Sequence, residues 1–228
     1  MGAFINMKSV PKNRRHLLDI GIAGPLAGMV IAIPVLLIGL KMSTLSTLPA
    51  GPASAGGLGQ VQMEGNSILY LLAKFAIFRE LLPAPASLQH VTPFLYWLRY
   101  FFTGHPLPYG ALDVTLSPVA WAGWGGLLIT ALNLIPAGQF DGGHMIYTLL
   151  GKRGSRLIYP FILVALVALG FVWSGWWFWA FLVFILGRLY AEPLDQITQL
   201  DRKRKLLAVG ALILFLLVFT PVPLIAIP

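Results

Sequence analysis

The 228-residue sequence has no cysteine, eight acidic residues and four histidines. Without cysteine there are no disulfides and no thiolate metal sites, so any transition metal must be held by histidines and carboxylates. Charged residues make up 11% of the chain, against about 25% in an ordinary soluble domain. That shortage, with a mean hydropathy of +0.80, excludes a water-soluble globule or a disordered tail and leaves lipid as the main solvent. Sixteen Lys and Arg against eight Asp and Glu give a net charge of +8. The cations sit in short clusters between apolar runs, like the flanks of membrane helices, and no basic face repeats along a soluble helix. Nucleic acid is therefore not expected as a partner.

What the chain does have is long apolar runs. Leu17 to Leu40 follows Lys8, Lys12, Arg14 and Arg15 and contains one charge, Asp19. It is long enough to span with some tilt, too long for a signal-peptide core, and has no cleavage site after it. Inside it, Ala23-Gly24-Pro25-Leu26-Ala27-Gly28 offers small residues that let another helix approach closely, and Pro34 is expected to kink its second half. Residues 42–67 are rich in Ser, Thr, Gly, Pro and Ala and read as a loop. Ile68 to Phe78, interrupted by Lys74, and the aromatic run Pro93 to Phe102 read as interfacial or re-entrant helices. The expected fold is an all-α polytopic membrane protein with about five transmembrane helices, some short, and a long loop insertion. Its parts are a short extended basic segment (1–16), a first span (17–41), an extracytoplasmic insertion (42–117) and a broken span carrying an Asp-Gly motif (118–150). Two short spans turning at Ser174-Gly175 (151–190), a basic loop (191–205) and a final span (206–228) complete it. Splitting 157–190 in two keeps the three basic clusters on one side, with the N-terminus cytoplasmic, and gathers Trp173, Trp176, Trp177 and Trp179 at the turn. No internal repeat is visible, which argues against an inverted-repeat transporter.

An ionisable residue at membrane depth points to a functional site. Asp141 lies 11 residues before Lys152, about 16 Å if helical, roughly half the hydrocarbon thickness. Pro136, Gly138, Gly142 and Gly143 loosen the backbone beside it, and irregular backbone at that depth has to be buried in protein or line a wet cavity. Such a carboxylate wants a cation, a proton or a metal. The plainer alternative is that Asp141 only caps a helix starting at Gly142. His144, three residues on, shares its face and is read as a residue that orients the ligand, a second ligand or simply a hydrogen-bonded histidine.

Asn133-Leu134-Ile135-Pro136 followed by Phe140-Asp141-Gly142-Gly143-His144 resembles the L-D-G region of the site-2 protease family, membrane-embedded zinc metalloproteases that cut substrates within the bilayer. Residues 23–28 resemble the family's A-G-P-x-A segment. The resemblance implies that Asp141 is a zinc ligand, that Asn133 and Pro136 line the site near the substrate, and that the partners are the bilayer and a transmembrane substrate that unwinds locally. Phe140 stands where the family usually has Leu. In that family two histidines of an H-E-x-x-H helix complete the metal site and its Glu is the general base. None of His16, His90, His105 and His144 begins such a motif, so no catalytic residue is expected in this chain. The expectation is therefore part of a zinc metalloendopeptidase, N-terminally truncated and inactive alone, from a bacterial plasma membrane. The alternatives are a noncatalytic membrane binding module that keeps the fold, and a small transporter-like bundle with Asp141 as its ion site.

Overall fold

The computed structural model describes residues 10–51, 61–85, 88, 91–195, 198 and 200–227. The order of elements is α1 (Arg14–Lys41), β1 (Thr44–Thr47), β2 (Val61–Glu64), α2 (Ile68–Phe78), α3 (Pro93–Thr103), β3 (Leu112–Thr115), α4 (Pro118–Asn133), α5 (Asp141–Gly170), α6 (Gly175–Leu186), α7 (Arg202–Val218) and β4 (Leu224–Ile227). The chain is mostly helical, and α1 and α5 are long and apolar enough to cross a membrane. The all-α expectation needs one correction, since four short strands form two antiparallel pairs. The chain divides into two compact units, one of residues 1–30 and 129–217, the other of residues 31–128 and 218–228.

In the first unit Asn13 starts α1. Its Oδ1 accepts the backbone N–H of His16 at 3.0 Å and its carbonyl accepts that of Leu17 at 3.1 Å, satisfying N–H donors that the first turn otherwise leaves unpaired. The helix then runs unbroken through Pro25 and Pro34. α5 is two helical pieces joined at Gly151 (φ 71°, ψ −175°), immediately before Lys152 and Arg153. It ends at Gly170, and α6 begins at Gly175 with Ser174 in its cap position. Arg202 to Lys205, expected in a loop, form the first turn of α7 instead. Arg204 there donates to both carboxylate oxygens of Asp19 on α1 (3.1 and 3.0 Å) and to Asp201 (3.2 Å), fastening the start of α7 to α1.

The second unit holds the insertion. β1 pairs with β3, Thr44 opposite Thr115, and β2 pairs with β4, Glu64 opposite Leu224. Where a span was expected over 206–228, helix α7 stops at Val218, and the segment after Pro221 and Pro223 forms a strand. Ser67 caps α2 by accepting the N–H of Tyr70 at 3.2 Å. α3 has Pro93 in its first turn and closes at Gly104 (φ 68°). It buries Tyr96 and Tyr100 and leaves Phe94, Leu95, Leu98 and Phe102 exposed, a division suited to a helix lying at an interface.

Candidate metal-ligand site

α4 ends at Asn133, and the chain takes irregular turns to Phe140 before α5 begins at Asp141. The sequence forces this break. Pro136 has no N–H to continue a helix, and Gly138 sits at φ 52°, where a side chain is strained. Leu134 to Gly138 are all buried, so their backbone groups need partners. Leu134 N–H donates to Thr130 at 3.0 Å, Ala137 N–H to Ile135 at 2.8 Å and Phe140 N–H to Ala137 at 3.2 Å. The break packs directly on the first turn of α5. A Cβ on Gly142 would lie 2.0 Å from the carbonyl oxygen of Leu134, so no larger residue fits there. Gly142→Ala is expected to destabilise the chain by about 1–3 kcal/mol or more. Gly125→Ala, in α4 where a Cβ meets nothing within 4 Å, is expected to be neutral or stabilising by about 0.5–1 kcal/mol. Chemical unfolding of the two variants in detergent measures the contrast.

Asp141 does not cap its helix. Phe140 occupies the cap position with extended backbone and no side-chain bond, and Asp141 is the first helical residue. It is 9% exposed, His144 is 3% exposed, and every residue from Asp141 to Thr148 is buried. No hydrogen bond from another described side chain reaches the Asp141 carboxylate. Its one built-in compensation is the positive end of the helix dipole, worth about 0.3–1 kcal/mol. The small residues of α1 face this turn. A Cβ on Gly24 would sit 3.5 Å from Asp141 Oδ2, one on Gly21 3.0 Å from His144 Cβ, and one on Gly28 3.2 Å from Thr130 Oγ1. Positions 21, 24 and 28 share one helical face, so the glycines of α1 form the wall against which the carboxylate and the imidazole lie. The structure thus gathers Asp141, His144 and the 21–28 segment. Asn133, half-buried at the end of α4, and Pro136, buried in the break, lie in the adjoining segment.

Zinc in a catalytic site takes three protein ligands and an open position. Among the described residues no group of three or more His, Asp or Glu converges on one point. His16 and His105 are exposed, and His90 lies outside the described residues. Among the described residues, then, no complete set of zinc ligands is assembled. Asp141 with His144 supplies at most two donors.

The sequence reading gave Lys74 no role. It is 0% exposed, its Nζ 3.6 Å from Asp113 Oδ1 and 3.9 Å from Glu64 Oε1, and both acids are buried too. Tyr70 donates to Glu64 Oε1 at 2.7 Å, and the Lys74 ammonium lies 4.6 Å from the centre of the Tyr70 ring. Burial raises the Glu64 carboxyl to about 7, partly opposed by Lys74. The available signal was the lone Lys74 in the apolar run Ile68 to Phe78; nothing local says that it meets Glu64 and Asp113.

The family model of peptidase family M50 matches residues 1–175. The chain is 32% identical over 97% of its length to the probable zinc metalloprotease EGY2, chloroplastic, of Arabidopsis thaliana, of which it covers 34%. It is 29% identical, also over 97% of its length, to the probable zinc metalloprotease EGY1, chloroplastic, of the same plant, covering 35%. A shorter match, 28% identical over 67% of the chain, covers 7% of the Arabidopsis DDT domain-containing protein PTM. The chain thus spans about a third of the length of the two metalloproteases. No solved structure matches it. The relatives' names are chloroplastic, so they lend no support to a bacterial plasma membrane. The match over residues 1–175 takes in both the α1 glycine face and the Asp141 turn, and with it the chain belongs to peptidase family M50, the membrane-embedded site-2 protease family.

Proposed function

We propose that this chain is the aspartate-bearing part of an intramembrane zinc metallopeptidase acting on membrane-spanning proteins. One observation carries the reading most: a buried carboxylate begins a helix right after a backbone break, beside an apolar helix whose glycines leave it room. A structural aspartate would be expected to cap or to pair, and Asp141 does neither with the described side chains. In this reading Asp141 is the carboxylate metal ligand and His144 supports it from the next turn. The two histidine ligands and the glutamate base are not among this chain's residues. Asn133 and Pro136 border the path of a substrate strand. That strand must be unwound, since peptide bonds in an intact helix are shielded and already hydrogen-bonded. About five spans hold the site, with the basic clusters on one side of the membrane.

The test joins the chain to an M50 segment that carries H-E-x-x-H and reconstitutes the product in vesicles with a transmembrane reporter. Asp141→Ala is expected to lower cleavage by more than about 100-fold, beyond the usual cost of losing only a metal ligand's supporting residue. Unchanged cleavage would remove Asp141 from the site. A second reading, a noncatalytic membrane module, is favoured by the lack of any H-E-x-x-H among the four histidines. It predicts no cleavage by the joined product and a chain equally stable with and without zinc.

A further inference from the structure

A groove of about 410 Å³ runs between α1 and α7 in the first unit, lined by Leu26, Lys203, Leu206, Leu207, Gly210 and Leu214, with Ala211 at its floor. Positions 203, 206, 207, 210 and 214 make a single stripe along α7. The stripe is open. Leu206 is 64% exposed, Leu207 53% and Leu26 43%, and a Cβ on Gly210 would meet nothing within 4 Å. Leu26 follows Gly24 by two residues, about 200° around the helix. The groove therefore opens on the side of α1 away from Asp141, where the missing metal ligands would not be sought.

Its charge is asymmetric. All lining residues are apolar except Lys203 at one end. Arg204 beside it is engaged by Asp19 and Asp201, while no carboxylate among the described residues pairs with Lys203. From Lys203 to Leu214 is 11 residues, about 16 Å along the helix, or one leaflet of a hydrocarbon core about 30 Å thick. A crossing peptide helix would need the whole thickness. An acyl chain under one headgroup needs half, with the headgroup at the cationic end.

We propose that the α1–α7 groove binds an anionic phospholipid of the surrounding bilayer, one acyl chain along Leu206, Gly210 and Leu214 and the phosphate at Lys203. Basic positions between membrane helices hold anionic headgroups, and each cation contributes about fivefold in affinity. The site depends on the chain's membrane embedding and not on the peptidase reading, so either can fail alone.

The experiment reconstitutes the 228-residue chain in vesicles of phosphatidylcholine and phosphatidylglycerol at nine to one. It re-extracts the chain and counts retained lipid by mass spectrometry. The unchanged chain is expected to retain about one phosphatidylglycerol in preference to phosphatidylcholine. Lys203→Glu should weaken that retention about 25-fold, two charge units at about fivefold each. Lys205→Glu makes the same charge change off the lining and should leave it. Gly210→Phe should abolish it by filling the open space. Circular dichroism and gel filtration, expected unchanged at these exposed positions, show that each variant is folded. Equal retention of the two lipids, equal loss in Lys203→Glu and Lys205→Glu, or full retention in Gly210→Phe would each overturn the proposal. So would a transmembrane peptide that displaces the lipid from the unchanged chain and binds Lys203→Glu just as tightly.

Discussion

Lys74→Met is expected to destabilise the second unit by about 3–5 kcal/mol, the cost of removing one partner from a buried charge pair. The ammonium lies between two buried carboxylates, 3.6 Å from Asp113 and 3.9 Å from Glu64, with no exposure to water. Without it the two acids are left in apolar surroundings, where burial already disfavours the charged form. The measurement is backbone hydrogen exchange of α2 in detergent, which should speed up by about two to four powers of ten. The triple change Lys74→Met, Glu64→Gln and Asp113→Asn should recover most of the loss, because neutral groups of similar shape carry no desolvation penalty. Failure of the triple variant to recover would mean that packing of the lysine stem, and not its charge, holds α2.

The same cluster gives the insertion a pH dependence whose sign follows from Glu64. Burial, the largest influence, raises its carboxyl from 4.5 to about 7; Lys74 and the Tyr70 hydroxyl lower it and Asp113 raises it. The folded state thus binds this proton more tightly than the unfolded chain does. Stability is greatest when Glu64 is protonated and falls as pH rises from about 4.5 to about 7. With Glu64 neutral, Lys74 and Asp113 form a balanced pair; with it ionised, the cluster carries one excess negative charge. Glu64→Gln is expected to flatten this slope, and the deficit of Lys74→Met to shrink in acid. Hydrogen exchange of α2 at pH 5 and pH 8 reads both.

The second large effect is at Asp141, where the fold and the function should separate. The carboxylate accepts no bond from another described side chain and forms no cap, so Asp141→Asn should cost stability only through the helix dipole, about 0.3–1 kcal/mol. Its effect on metal binding in the completed enzyme should be far larger, because a neutral amide is a much poorer zinc ligand than a carboxylate. A purely structural aspartate would show the reverse, a clear loss of stability with metal and cleavage intact.

The Asp141 turn stands out in the sequence because charge is so scarce. One acid flanked by Pro136 and three glycines marks both a helix break and a reason for it, and the small residues of 23–28 meet α5 at Asp141 (Gly24) and α4 at Thr130 (Gly28). Local backbone rules cover these features. The strands were not readable. Each has four residues, too few for a clear alternation, and β2 pairs with β4 across more than 150 residues of chain. Pro221 and Pro223 lie just past the end of α7, but nothing local marks the strand beyond them. The basic run at 202–205 read as a loop because such clusters lie between membrane spans; the Asp19 and Asp201 carboxylates that meet Arg204 come partly from α1. Lys74 was missed for the same reason, since its two partners come from strands flanking other parts of the insertion.

The most direct test of the central claim is the zinc content of the chain joined to an H-E-x-x-H segment, with Asp141 intact and with Asp141→Asn. Both proteins would be purified under identical conditions and checked by circular dichroism for equal helix content. One tightly held zinc per intact molecule, and loss of most of it in the equally folded Asp141→Asn variant, is the predicted result. Full zinc occupancy in Asp141→Asn would contradict the assignment of Asp141 as a metal ligand.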